Sequence, residues 1–228
     1  MDSSQPSAVP SGDALPMNSL EDADQQVAHP PVAEVPLVAA QTPDDIVLFE
    51  ENLLTEPPPP TLLDEDFTAV AEMQCLTTIS INWAQHFLKR NYPVNGFLFT
   101  DFFLFQKGYK VDPPFVNILF LKTRSHFVCI STVGCETGRV KVFDSYRCDR
   151  VCEELRMQVE CLYGGACEIE MVKVQQQREC ECGVFAIAFS VCVVNGLDPE
   201  FVKFKRDSMR DHLLKCMKDD CLSLLPMY

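Results

Sequence analysis

The first 66 residues contain no lysine, no arginine and no cysteine, and Phe49 is their one aromatic side chain. They hold 14 of the chain's 33 acidic residues and 11 of its 16 prolines. The 19 acids that remain balance the 19 Lys and Arg, so the formal charge of −14 resides in this stretch. With so little apolar surface to bury, it cannot offset the entropy of ordering, and residues 1–68 are expected to form a disordered tail. Residues 69–228 are rich in Phe, Val, Ile, Leu and Cys. A chain of that length buries roughly 70% of its unfolded surface, enough for one core.

Other absences narrow the field. "MDSSQPSAVP" has neither a basic n-region nor an apolar h-region, so secretion is not expected. The longest apolar run, Val184 to Val194 with one serine, is too short to span a bilayer. All 12 cysteines lie between Cys75 and Cys221. Without export signals, most of them read as small buried hydrophobes in a reducing compartment, nucleus or cytoplasm. The close pairs Cys148/Cys152 and Cys180/Cys182 have no histidine at finger spacing, so no metal is expected. A neutral folded part without a basic stripe argues against nucleic-acid binding.

What is present has the pattern of an α+β domain. "PPPP" at Pro57–Pro60 stiffens the end of the tail and "LLDEDF" leads into the domain. In "TTISINWAQHFLKRNY", Ile79, Trp83 and Phe87 recur every four residues beside Ala84 and Leu88, and Thr77 or Thr78 can cap the start of a helix. "VNILFL", "HFVCISTV" and "RVKVFDSY" read as strands, the last two joined by "GCETG". "DRVCEELRMQVECLYGG" reads as a helix with Val151, Leu155, Val159 and Leu162 on one face, ended by Gly164-Gly165. "EIEMVKV" is a fourth strand. "GVFAIAFSVCVVNG" is an apolar, central helix, and Pro199 to Leu225 holds one or two amphipathic helices.

Three features carry chemistry. If the apolar helix begins at Gly183, Cys182 sits where unpaired N–H groups and the positive end of the dipole favour a thiolate. Gly183 would leave room for a substrate backbone, whereas Cys180 lies in the preceding loop. A five-residue "GCETG" turn makes paired positions sum to 272, so Val128 faces Asp144 and His126 faces Tyr146. His126 and Asp144 are then diagonal neighbours within hydrogen-bonding reach, provided the register does not slip. Finally, a glutamine amide in "VQQQ", with the backbone N–H of the nucleophile, can meet the oxyanion of acyl transfer.

The order His126, Asp144, Gln176, Cys182, with Cys-Gly opening an apolar helix, resembles the cysteine proteases specific for ubiquitin-like modifiers. This is the SUMO-protease family, related to the adenovirus protease; papain-type enzymes run Cys before His. "VQQQ", "CGVFAIAF", "NGLDP", "MRDHLLKC" and "INWAQHFLKRNYPVNGF" resemble still more closely the versions in transposon-associated reading frames. The resemblance covers nearly all of 75–228 and none of the tail. It implies a papain-like/adenovirus-protease-like fold, a central mixed sheet packed by helices with the nucleophile at the N-terminus of a buried helix.

The implied activity is that of a monomeric, cofactor-free thiol protease or isopeptidase, cleaving after the C-terminal glycine of a ubiquitin-like modifier, SUMO-like, or of its conjugates. The family's oxyanion glutamine falls on Gln176, with a shift to Gln175 or Gln177 left open by the spacer Arg178-Glu179-Cys180. Leu76, Phe127 and Gly183 are the implied substrate-binding positions. The chain departs from the family where Cys75-Leu76-Thr77-Thr78 replaces Trp-Leu-acidic, where Phe127 replaces Trp and where Glu181 replaces Asp. Cys180 is also close enough to Cys182 to pair with it under oxidation. Those departures keep open an alternative, a modifier-binding scaffold of mobile-element origin with impaired catalysis. In the tail, the acid-flanked Ile46, Val47, Leu48 and Phe49 resemble SUMO-binding motifs, which add as a strand to a partner's sheet edge.

Overall fold

The computed structural model describes residues 58–100, 110–146 and 150–228. The tail and its Ile46–Phe49 motif lie outside the described residues, as does Cys148. The compact unit runs from Glu56 to Tyr228. It begins earlier than the expected boundary at 68/69, which falls inside helix α1 (Asp64–Ala71). In the fold, Asp64, Glu65 and Asp66 occupy the first turn of α1, where the helix dipole favours negative charge. Asp66 is fully buried and accepts from Leu63 N–H at 2.8 Å, from Ser80 Oγ at 3.2 Å and from the Thr77 hydroxyl.

Helix α2 (Thr78–Asn91) is capped by the Thr77 side chain, which accepts from Ser80 N–H. Its buried face is Ile81, Trp83, Ala84, Gln85 and Leu88, a rotation from the expected stripe, which leaves Ile79 and Phe87 half-buried. The reason is polar. Gln85 turns inward, where Nε2 donates to Leu98 C=O at 2.5 Å and Oε1 accepts from Ile118 N–H at 2.8 Å. A buried amide with both ends paired is tolerated, and it draws its helix face into the core.

One five-stranded mixed sheet runs in the order β1 (Asn95–Gly96), β2 (Phe115–Leu121), β3 (His126–Ser131), β4 (Arg139–Phe143), β5 (Glu168–Val172). The central pairs β2–β3 and β3–β4 are antiparallel, and the outer pairs are parallel. The β3–β4 register pairs Cys129 with Phe143, Ile130 with Val142 and Ser131 with Lys141, each summing to 272 as the hairpin length predicts. Helix α3 (Glu153–Tyr163) covers one face through Leu155, Val159 and Leu162 and stops at Gly164, whose φ of 82° suits a residue without Cβ.

The other face is covered by α2, α4 (Cys182–Val194) and α5 (Arg206–Lys218). Every residue of α4 from Cys182 to Val193 is buried, as expected of a helix that is apolar all round. The segment expected to hold one or two helices is a 3-10 turn, Pro199–Phe201, then α5; beyond it the chain extends to bridge Met227 to Phe204. Among the described residues no helix is long and apolar enough to cross a membrane, and no three His, Cys, Asp or Glu side chains converge as metal ligands would.

Candidate active site

The sequence from Arg178 to Cys182 folds so that Glu181 takes the N-cap position of α4 and Cys182 is its first residue. Glu181, 6% exposed, accepts from Arg178 N–H at 2.6 Å and pairs with Arg206 Nε at 3.2 Å, closing the turn before the helix. Arg210 of α5 ties the same turn to the domain's start. Its guanidinium donates to the carbonyls of Ala69, Val70, Gln74 and Cys180. This staple was not foreseen, although "MRDHLLKC" contains it.

Three predicted residues meet here. His126 opens β3 and Asp144 follows β4 directly, so the hairpin register sets both. His126 Nε2 lies 2.6 Å from Asp144 Oδ1, with both side chains buried. That leaves Nδ1 as the ring nitrogen available to Cys182, whose interaction with the imidazole moves the titration of both groups. Burial lowers the proton affinity of His126, but its bonds to Asp144 and Cys182 and their charges outweigh this and raise its pKa to about 9.

Cys182 shows the converse. Burial pushes the thiol up; the His126 hydrogen bond, the Phe127 backbone N–H, the His126 charge and the Gly183 backbone N–H pull it down, and the pKa ends below the ordinary thiol value. The Phe127 N–H was not foreseen, because only the tertiary fold lays β3 across the start of α4. Such a group can act as a thiolate nucleophile beside an imidazolium, with a carboxylate holding the ring.

The glutamines diverge. Gln175 is committed to the extended segment before α5, its Oε1 accepting from Phe204 N–H at 2.7 Å and its Nε2 donating to Phe204 C=O at 3.3 Å. Gln176 Nε2 donates to Val174 C=O at 3.0 Å, and Gln177 Oε1 accepts from Ser145 Oγ at 2.7 Å. The backbone N–H of Gln177 bonds Ser145 C=O at 2.8 Å, which fastens the "VQQQ" segment to the residue after Asp144.

Three expectations need correction. Gly183 does not open space for a substrate backbone: a Cβ there would meet Leu76 Cβ at 3.0 Å and Ile81 Cδ1 at 3.2 Å, so the glycine lets α4 pack closely on α2 and its approach. Cys180 is paired with Cys75, not Cys182, at a Cα separation of 4.3 Å. Of the nine free cysteines described, Cys129, Cys182, Cys192 and Cys216 are buried and the others are half-buried or exposed, so burial is less general than expected. Leu76 and Phe127 are 5% and 4% exposed, and the Phe127 ring packs on Phe120 with centroids 4.8 Å apart.

No family profile matches the sequence, and no curated protein matches it. Solved structures do. The SUMO protease Ulp1 with its catalytic cysteine oxidised to a sulfenic acid is similar at a TM-score of 0.53 and 15% identity, over 82% of this chain and 99% of that one. Ulp1 with that cysteine oxidised to a sulfinic acid gives 0.51 and 14%, over 81% and 98%. At such identity the likeness shows the fold: an α+β, papain-like domain of the Ulp1 protease type.

Proposed function

We propose that this domain is a thiol peptidase or isopeptidase that cleaves after the C-terminal glycine of a ubiquitin-like modifier, SUMO-like in kind. One observation carries the reading: Cys182, the first residue of a buried helix, interacts with an imidazole that Asp144 holds at 2.6 Å. Cys182 thiolate attacks the glycine carbonyl and forms a tetrahedral oxyanion. Gln176 and the Cys182 backbone N–H stabilise it, the Gln176 amide turning from Val174 C=O to do so. Gln177, beside Ser145, is the alternative donor; the pairing of Gln175 with Phe204 argues against it. Imidazolium His126 protonates the leaving amine, which departs as the thioester forms. His126 then takes a proton from water, which attacks the thioester and releases the modifier's carboxylate and the thiolate.

The modifier's tail would pass Leu76 and Phe127, and Ile46–Phe49 would supply a second, weaker contact. A nuclear or cytoplasmic monomer belongs to the same reading. Cys75 and Phe127, standing where the resembled family has tryptophan, favour one competing reading, a domain that binds a modifier without cleaving it. Electrophile probes built on the C-termini of ubiquitin, SUMO and NEDD8 separate the two. An adduct on Cys182, lost in Cys182→Ala and kept in Cys180→Ala, is expected. A folded protein that binds a modifier yet forms no adduct would establish the binding module instead.

A further inference from the structure

The row of Cys182, His126 and Asp144 does not end at the carboxylate. Asp144 Oδ1 accepts from His126 Nε2 at 2.6 Å and from Tyr146 N–H at 2.8 Å, while Oδ2 is met by Arg124 Nη1 at 3.3 Å. The Arg124 guanidinium carbon lies 5.7 Å from the Tyr146 ring centroid, and that ring stands edge-on to His126 at 5.9 Å. Arg124 closes the 3-10 turn Lys122–Arg124, and Ser125, at φ 47°, leads directly into β3. The turn is gripped by Glu154, in the first turn of α3, which accepts from Lys122 N–H at 2.7 Å, Thr123 N–H at 3.1 Å and Thr123 Oγ1 at 2.5 Å.

We propose that Arg124, braced by Glu154, is a positioning residue that fixes the plane of the Asp144 carboxylate, an inference that rests on the reading of Cys182, His126 and Asp144 as the catalytic set. A carboxylate held at one oxygen can turn about its terminal torsion, which is broad and two-fold. A guanidinium on the second oxygen removes that freedom and leaves Oδ1 aimed at Nε2. Arg124 is partly solvated, with 23% of its side chain exposed against 2% for Asp144, so its charge is screened and geometry is its main contribution.

Removing Arg124 has two effects of opposite sign on His126. Loss of a nearby cation raises the proton affinity of the imidazole; loss of a well-aimed Asp144 lowers it. The other charged or titratable groups around the row are Cys182 and Glu181 at the start of α4, Tyr146 after β4, and Arg206 and Arg210 from α5, and all stay in place. The positioning account requires the second effect to win.

The test is the titration of His126, followed by NMR of its ring carbons in the full chain. In Arg124→Ala the midpoint is expected to fall by up to about one unit, a part of what a well-aimed opposite charge at contact distance contributes. Arg124→Lys should lie between that and the parent. Glu154→Ala should shift it the same way by less, with no further change when combined with Arg124→Ala. A midpoint unchanged or raised in folded Arg124→Ala overturns the proposal. Should Arg124→Ala fail to fold, the Lys and Glu154 variants decide by the same sign. The readout needs no substrate, so a Cys182 that ignores every modifier probe would defeat the proposed activity while His126 still judges Arg124.

Discussion

Cys182 and Cys192 stand on the same helix, both buried, and their thiols are driven in opposite directions. Cys192, near the end of α4 among apolar side chains, is pushed up by burial to about 12. Cys182 feels burial too, yet two backbone N–H groups and an imidazole take it below the ordinary thiol value. Cys129, buried on β3, behaves like Cys192 and is also pushed up to about 12, burial far outweighing a hydrogen bond from Ser190. Burial alone therefore makes a cysteine inert. Donors fixed at a helix start, and one cation, make it a nucleophile.

The largest way to break the comparison is to exchange the two thiols' fates by deletion. Cys182→Ala should lower modifier cleavage by about six orders of magnitude, as removal of a nucleophile does. Cys192→Ala should leave turnover within about twofold and cost about 1–2 kcal/mol of stability from the small cavity, read by urea unfolding. Next in size is Asp144→Asn, which keeps the shape but no longer holds imidazolium His126; kcat should fall by about 10²–10⁴.

The pH dependence sharpens the comparison without changing a residue. Activity needs thiolate Cys182 beside protonated His126, so the alkaline limb should fall near pH 9 and the acid limb below the ordinary thiol range. Stability follows with a definite sign. His126 rises from 6.5 unfolded to about 9 folded, so its contribution is full below about pH 6.5 and fades as pH climbs through 9. Thermal unfolding across pH 6 to 10 checks this. The smallest effect on the pH profile is expected from Gly183→Ala. The added methyl meets Leu76 and Ile81 at 3.0 to 3.2 Å, so Tm should drop by the equivalent of about 1–3 kcal/mol while the position of both pH limbs stays put.

Much of this site was legible because it depends on local chemistry. The length of "GCETG" set the β3–β4 register, and the register brought His126 to Asp144. The all-apolar run after Cys182 announced a buried helix whose first residue is the nucleophile candidate. What was missed depends on partners far along the chain. Asp66 looked like tail composition until Thr77 and Ser80 closed over it, and that moved the domain boundary. Gln85 is polar on a helix face and signals nothing until Leu98 and Ile118 arrive to pair its amide. Cys75 and Cys180 are 105 residues apart, a separation that no spacing rule links. Strand β1, two residues long and parallel, has no alternation to detect.

The central claim, that environment alone separates two buried thiols on one helix, is tested most directly by measuring the alkylation rate of each cysteine against pH in the folded chain, site by site with peptide mass spectrometry. Cys182 is expected to react with a midpoint below the ordinary thiol value while Cys192 and Cys129 stay unlabelled up to pH 10. A Cys182 that titrates at or above that value, or labels no faster than Cys192, would contradict the account.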